Sequence, residues 1–288
     1  MSPAIPVLWI NLQRAQRRRA RMRWALHQGG WHSERFDAID AADPAHQLLP
    51  LPDLRRMGQH WPGVARWHEP HPWRATSRRE LACLASWQRL LLQAQHQAAP
   101  WVLVMEDDLG SALAVPEAWP ISLGALIAQA PPHTLAIQLA PISATARQQL
   151  HQRWRASAGR QWLVPKSDVR SHGNGAVLLS RQALPRLSSA LGRWCAHHAP
   201  RWHPLLHPWG CRPVADKWLY ACLPEGSCQV FTYPLFCLEA EESSLHPSHI
   251  EAYHRPSRQI TLELWQQDGL TALLEAQRQW DAIPDPRR

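Results

Sequence analysis

Lysine is nearly missing from this 288-residue sequence: Lys166 and Lys217 are the only two, so the excess of 31 Lys and Arg over 23 Asp and Glu is carried almost wholly by arginine. A planar guanidinium holds two oxygens at once, which suits phosphate better than an ammonium point charge does. The net charge of +8 therefore fits an anionic partner, whether a nucleotide diphosphate, a phosphorylated glycolipid, nucleic acid or a membrane surface. Charge by itself does not choose among them. Also missing is any Cys-x-x-Cys pair among Cys83, Cys195, Cys211, Cys222, Cys228 and Cys237, and the chain is too long for a small disulfide scaffold. Reduced thiols in a cytosolic compartment are the expectation. No stretch approaches the roughly 18 uninterrupted apolar residues of a spanning helix, so membrane contact is expected to be peripheral, at the inner face. Met1 to Asn11 has neither a cationic leader nor a long apolar stretch, so no signal peptide is expected. Internal repeats are absent.

A hydrophobic content of 45% with 19% charged residues is enough for a sizeable core and excludes disorder of the whole. The abundance of Arg, Ala, Trp, Pro and His also fits a biased codon supply, so bulk composition carries little weight. Pro6 to Leu12 reads as a buried strand. The arginine-rich Ala15 to His27 reads as a helix with Ala20, Trp24 and His27 in helical spacing, ended by Gly29-Gly30. Ser33 to Asp40 reads as a second strand, which gives the strand-helix-strand opening of an α/β domain with a parallel sheet. From Ala41 to Ala75 the chain has no period and reads as a long loop of the kind that forms lids, with one helical turn near Leu54 to Met57. Ser77-Arg-Arg-Glu80 has the capping-box pattern, and Leu81, Leu84, Ala85, Leu91 and Leu92 give one apolar helix face to about His96. Further strands are expected at Trp101 to Met105, Thr134 to Leu139, Trp162 to Val164, Ala176 to Leu179 and Gln229 to Leu235. Ile260 to Trp280 reads as an amphipathic helix or pair interrupted by Gly269. One domain over 1–250 and a helical extension over 251–288 packed on it are expected.

Trp101 to Met105 is too short for a helix, and it delivers Glu106-Asp107-Asp108 at its carboxyl end. Adjacent carboxylates at the end of a buried strand repel strongly unless a cation neutralises them. Ligands of open α/β sheets gather beyond the carboxyl ends of the strands, and oxygen ligands favour Mg²⁺ or Mn²⁺ over zinc. The alternative is an acidic turn that happens to follow a strand.

Several segments in order resemble glycosyltransferase family 25, the lipooligosaccharide type. Ile10-Asn11-Leu12-Gln13-Arg14 through Arg17-Arg18-Arg19 to Met22 is similar to the family's opening segment, and Glu34 to Asp40 to its second strand. Ser77 to Leu90 resembles the helix before the acid cluster, and Trp101 to Leu109 the strand bearing it. Gly173-Asn174-Gly175-Ala176-Val177-Leu178-Leu179-Ser180 is similar to the family's Gly-Thr-x-Ala-Tyr-Leu-Ile-Ser, and Pro213-Val214-Ala215-Asp216 to its Pro-Val-Asp element. Trp87 and Gly175 stand where members commonly have His, Gln13 where they have Asp, and Ala41 where they have Gly.

The resemblance, running from about residue 6 to about 245, implies a GT-A-like, Rossmann-type, mostly parallel sheet flanked by helices. It implies a nucleotide-sugar donor, with UDP as the nucleotide, and a saccharide or glycolipid acceptor, with no nucleic acid as partner. It implies that Asp108 and Glu106 bind Mn²⁺ or Mg²⁺, and that Asn11, Arg14, Arg18, Asp40, Glu106 and Asp107 lie about the nucleotide sugar. A basic helix starting just after a strand offers amide donors and guanidinium groups for phosphate. Arg17, Arg19, Arg21 and Arg23 are expected instead to form a solvated face. Family members are considered inverting, which needs a base opposite the leaving diphosphate. Asp216 is the candidate, with an N-cap of a helix over Lys217 to Leu223 as its other reading. Asp168, Glu239 and Glu241 are weaker alternatives.

Cys195, His197, His198, His203, His207 and Cys211 match no standard zinc spacing and read as an acceptor loop, where Trp194, Trp202 and Trp209 are available to stack on sugars or to pack in the core. The rival expectation, motivated by Trp87, Gly175 and Gln13, is a protein of the same fold that binds a nucleotide sugar or glycan without turnover.

Overall fold

The computed structural model describes residues 5–43, 78–188, 215–241 and 248–286. Residues 44–75 of the expected lid loop, with its helical turn, Ser77 of the capping box and the Cys/His-rich stretch lie outside the described residues. Along the chain run β1 (Val7–Asn11), α1 (Gln16–Gln28), β2 (Ser33–Asp37), α2 (Arg78–Ala94), β3 (Trp101–Glu106), α3 (Leu123–Ala128) and β4 (Ala136–Gln138). These are followed by α4 (Ala144–Ala156), β5 (Leu163–Pro165), β6 (Ala176–Ser180), α5 (Ala215–Ala221), β7 (Cys228–Phe231), α6 (Arg255–Gln267) and α7 (Thr271–Ala282).

The strands form one seven-stranded sheet in the order β2-β1-β3-β6-β4-β7-β5. β1 pairs in parallel with both β2 and β3, and β4 pairs in parallel with β7. β6 lies antiparallel between β3 and β4, and β5 antiparallel on β7, so these two oppose the direction of the rest. The protein is thus of the α/β class, with a mixed sheet in which most strands share one direction.

Every residue of β1 and β6 is buried, because helices cover both faces and each strand must be apolar on both sides. Val7, Trp9, Leu103 and Met105 face a core completed by Met22, Leu26, Trp265, Leu273 and Trp280 of α1, α6 and α7. Leu8, Ile10, Val102 and Val104 face the other core, with Leu84, Trp87 and Leu91 of α2 and Trp218 and Leu219 of α5. Alternation along each strand divides the apolar side chains between the two layers.

Several boundaries differ from the sequence expectation for identifiable reasons. β2 ends at Asp37 rather than Asp40, because the Ile39 amide leaves the sheet to donate to Ser86 Oγ of α2 at 2.8 Å. β7 stops at Phe231: one more bond in register with β5 follows, from the Thr232 amide to the Trp162 carbonyl, and the Leu235 amide then closes a tight turn on the Tyr233 carbonyl. α5 begins two residues before Lys217, which puts Asp216 in the helix's first turn and corrects the reading of it as an N-cap. The buried face of α1 is Arg18, Arg21, Met22, Ala25 and Leu26, whereas Ala20, Trp24 and His27 are more open. Two arginines occupy that core-facing stripe, and a search for apolar periodicity passes over them.

Candidate active site

The site lies beyond the carboxyl end of β3, where Glu106 is in register with Ile10 of β1. The three acidic residues that follow one another here have three different environments. Asp107 is buried, 5% exposed, and both of its oxygens are taken: Asn11 Nδ2 donates to Oδ2 at 2.5 Å, and Arg18 lies 2.9 Å from Oδ1. Burial raises its pKa from the ordinary aspartate value, with Arg18 opposing. Asn11 is held in turn, its Oδ1 accepting from Arg19 Nε at 2.9 Å. Asp107, Asn11 and Arg18 therefore form a built-in floor.

Glu106 accepts from the indole N–H of Trp87 at 3.0 Å and lies 3.9 Å from the thiol of Cys83. Burial first, and then the charge of Asp108, pushes its pKa up to about 8. Burial likewise drives the Cys83 thiol well above its usual value, with Glu106 adding to the effect. Asp108 Oδ1 is buried and has no hydrogen-bond partner among the described residues. The Asp108 carbonyl is fixed by the Glu239 amide at 2.6 Å.

The turn that carries these acids is clamped from the carboxyl-terminal side. A Cβ on Gly110 would come within 2.4 Å of Met22 Sδ and 2.9 Å of the Trp280 ring, so only glycine lets the turn pass beneath that tryptophan. Arg21 and Glu239 form a buried ion pair, which corrects the expectation of a solvated Arg21. Arg17 pairs with Glu241 at 2.5 Å and so is not simply solvated either. With its carboxylate held by Arg21 and by the amides of Ala240 and Glu241, Glu239 is not available as a base.

Asp216 lies on α5 across the end of the sheet and accepts from the Gly173 amide at 3.3 Å. It is near enough for its charge to add to the upward shifts of Glu106, Cys83 and Tyr220. The structure thus brings Glu106, Asp107, Asp108, Asn11, Arg18 and Asp216 to one end of the sheet. Arg14 and Asp40 pair with each other at 2.5 Å, with the Arg14 side chain exposed. Asp168 is exposed and accepts from its neighbour Ser167.

Sequence reading missed Lys166 and the role of Trp87. The Lys166 ammonium bonds Gln138 Oε1 and the Ser171 carbonyl, both at 2.8 Å, and lies 4.1 Å from the centre of the Tyr220 ring. Burial lowers its pKa to about 8, with Cys228 and Asp216 opposing. The signal that could have found it is its rarity, since a chain that uses arginine almost everywhere keeps a lysine here.

A divalent metal fits two of the acids and not the third. The unpartnered buried oxygen of Asp108 and the mutual repulsion of Asp108 and Glu106 are features a cation would relieve, whereas Asp107 is already satisfied. Among the described residues no group of three or more His, Cys, Asp or Glu could hold a metal, and the carboxylate oxygens of Asp108 and Glu106 are of the kind that suits Mg²⁺ or Mn²⁺.

An α/β sheet with an acid cluster at a strand's carboxyl end defines the class: a protein of the open-sheet kind whose ligand site lies beyond the strand ends. Residues 4–111 match the model of glycosyltransferase family 25 (LPS biosynthesis protein), a span from just before β1 through the acid turn. Among solved structures the chain is similar to a glycosyltransferase involved in the glycosylation of the major capsid of PBCV-1. That likeness has 10% identity and a TM-score of 0.39, over 90% of this chain and 98% of that one. It is also similar to mouse xyloside xylosyltransferase 1 in its apo form, with 10% identity and a TM-score of 0.36, over 77% of this chain and 81% of that one. Comparison with curated proteins finds no match. No helix among the described residues is long and apolar enough to cross a membrane.

Proposed function

We propose that the protein transfers a hexose, galactose or glucose, from a UDP-sugar to a saccharide or glycolipid acceptor, with inversion and with Mn²⁺ or Mg²⁺ at the acid cluster. The observation that carries this reading is the buried, unpartnered Oδ1 of Asp108 next to Glu106, at a strand end within the family-matched segment. Asp108 and Glu106 would hold the metal, which supplies positive charge for the diphosphate as it departs. Asp107, fixed by Arg18 and Asn11, keeps the turn in place, and Arg14 with Asp40 offers groups to the nucleotide. Asp216 takes the proton of the acceptor hydroxyl as that oxygen bonds to the sugar's anomeric carbon and the bond to the diphosphate breaks. A peripheral approach to a membrane would suit a glycolipid acceptor.

The test is release of UDP from UDP-galactose and UDP-glucose by purified protein. Turnover is expected only with Mn²⁺ or Mg²⁺, and Asp108→Asn is expected to abolish it; metal-independent turnover would reject the mechanism. The anomeric configuration of the product, read by NMR, tests inversion.

A second reading, binding without turnover, has one observation in its favour: the Trp87 indole already holds an oxygen of Glu106. Calorimetric binding of UDP-sugars with no UDP release across a broad acceptor panel would establish it, and released UDP would reject it.

A further inference from the structure

Residues 172–175 connect the two sides of the site and are pinned along their backbone. The His172 carbonyl accepts from the Ile142 amide, and Gln138 Nε2 donates to the carbonyls of His172 and Gly173. The Gly173 amide donates to Asp216, and the Gly175 carbonyl accepts from the Glu106 amide at 2.8 Å. Gly175 is itself crowded, since a Cβ there would come within 2.7 Å of Leu109 Cδ2. Between these fixed points Asn174 is 6% exposed, and its amide nitrogen is buried with no partner among the described residues.

Such an arrangement is costly unless something else uses it. A buried amide donor without an acceptor destabilises the fold, and the neighbouring hydrogen bonds leave the backbone little freedom to turn the side chain away. The residues on either side of Asn174 tie it into the site, Gly173 through its amide to Asp216 and Gly175 through its carbonyl to the Glu106 amide. A carboxamide both donates and accepts, which matches a sugar hydroxyl, and amide orientation can reverse without moving the side-chain plane.

We infer that Asn174 is a specificity-determining residue that hydrogen-bonds a hydroxyl of the donor hexose. This rests on the reading of the site as one for a UDP-sugar. It does not require that the bound sugar be transferred.

The test is calorimetric Kd with Mn²⁺ for UDP, for UDP-galactose, for UDP-glucose and for the monodeoxy analogues of whichever hexose binds more tightly, on wild type and Asn174→Ala. The variant is expected to bind UDP unchanged and the parent UDP-hexose about 10-fold more weakly, as for one lost hydrogen bond. For one deoxy analogue the two proteins should bind alike, which identifies the hydroxyl read. The melting temperature of the variant should be unchanged or higher, because the substitution removes an unsatisfied buried donor; a structural asparagine would lower it. Equal loss for every analogue, weakened binding of UDP itself, or no loss at all overturns the assignment while leaving the donor site standing. No binding of any UDP-sugar by wild type overturns both. Asn174→Ser provides a second variant of similar polarity, expected to retain part of the discrimination; identical behaviour of Ser and Ala variants toward all analogues, both equal to wild type, would also overturn it.

Discussion

Individual side chains in this site are tuned mostly by burial. Lys166 shows it most directly, since its pKa falls from the usual 10.5 to about 8. A lysine whose folded pKa is depressed binds fewer protons than the unfolded chain between those two values. Stability should therefore rise with pH across that window, and the ionised lysine costs stability below about 8. Measured as denaturant midpoints at pH 7.5 and pH 10, wild type should gain on Lys166→Met by up to about 3 kcal/mol. No relative change with pH would show that the ammonium is better solvated than its surroundings imply. At the same scale the acid triplet was legible as a triplet but not as three roles. Nothing in Glu106-Asp107-Asp108 says that the middle carboxylate is spoken for by Arg18 and Asn11, since both partners come from the first strand and helix.

Among the elements, α1 is the one whose behaviour departs furthest from its sequence. Its arginines suggest a solvated or phosphate-facing helix, yet Arg21 is 1% exposed and paired with Glu239, and Arg18 is nearly as buried. The pair ties α1 to the segment whose Glu239 amide holds the Asp108 carbonyl, so the helix braces the acid turn from below. Removing one member of a buried pair leaves the other charge uncompensated. Arg21→Met should lower stability by about 3 to 5 kcal/mol, and Arg21→Met with Glu239→Leu should recover most of it. Urea denaturation of the single and double variants checks this, and a double variant no better than the single would mean that packing around Arg21, not its charge, is what is lost. Strand ends were predictable to within a few residues only; that of β2 was decided by a long-range acceptor, Ser86 Oγ for Ile39.

For the molecule as a whole, the carboxyl-terminal helices are structural members of the core around β1 and β3. Trp265, Leu273 and Trp280 are buried in the same cluster as Val7, Trp9 and Met105, and Ser111 of the turn after the acids bonds Gln277 at 2.6 Å. Deleting residues 251–288 should expose that face, and the shortened chain should lose cooperative thermal unfolding and aggregate; circular dichroism melts decide it. A shortened chain that still melts cooperatively would make the two helices an accessory layer.

What the sequence determined by itself was local and ordered: the α/β class, the position of the acid cluster after a short apolar strand, the helix stop at Gly29-Gly30, and the series of segments resembling family 25. Each is a statement about neighbours in the chain, where periodicity and turn chemistry act. Only the tertiary structure decided which carboxylate keeps an unpartnered buried oxygen, that Arg21 is interior, that Trp87 holds Glu106, and that the Asn174 amide nitrogen is buried without a partner among the described residues. Burial and ion pairing depend on groups brought together from distant parts of the chain, and a linear pattern carries no record of which will meet.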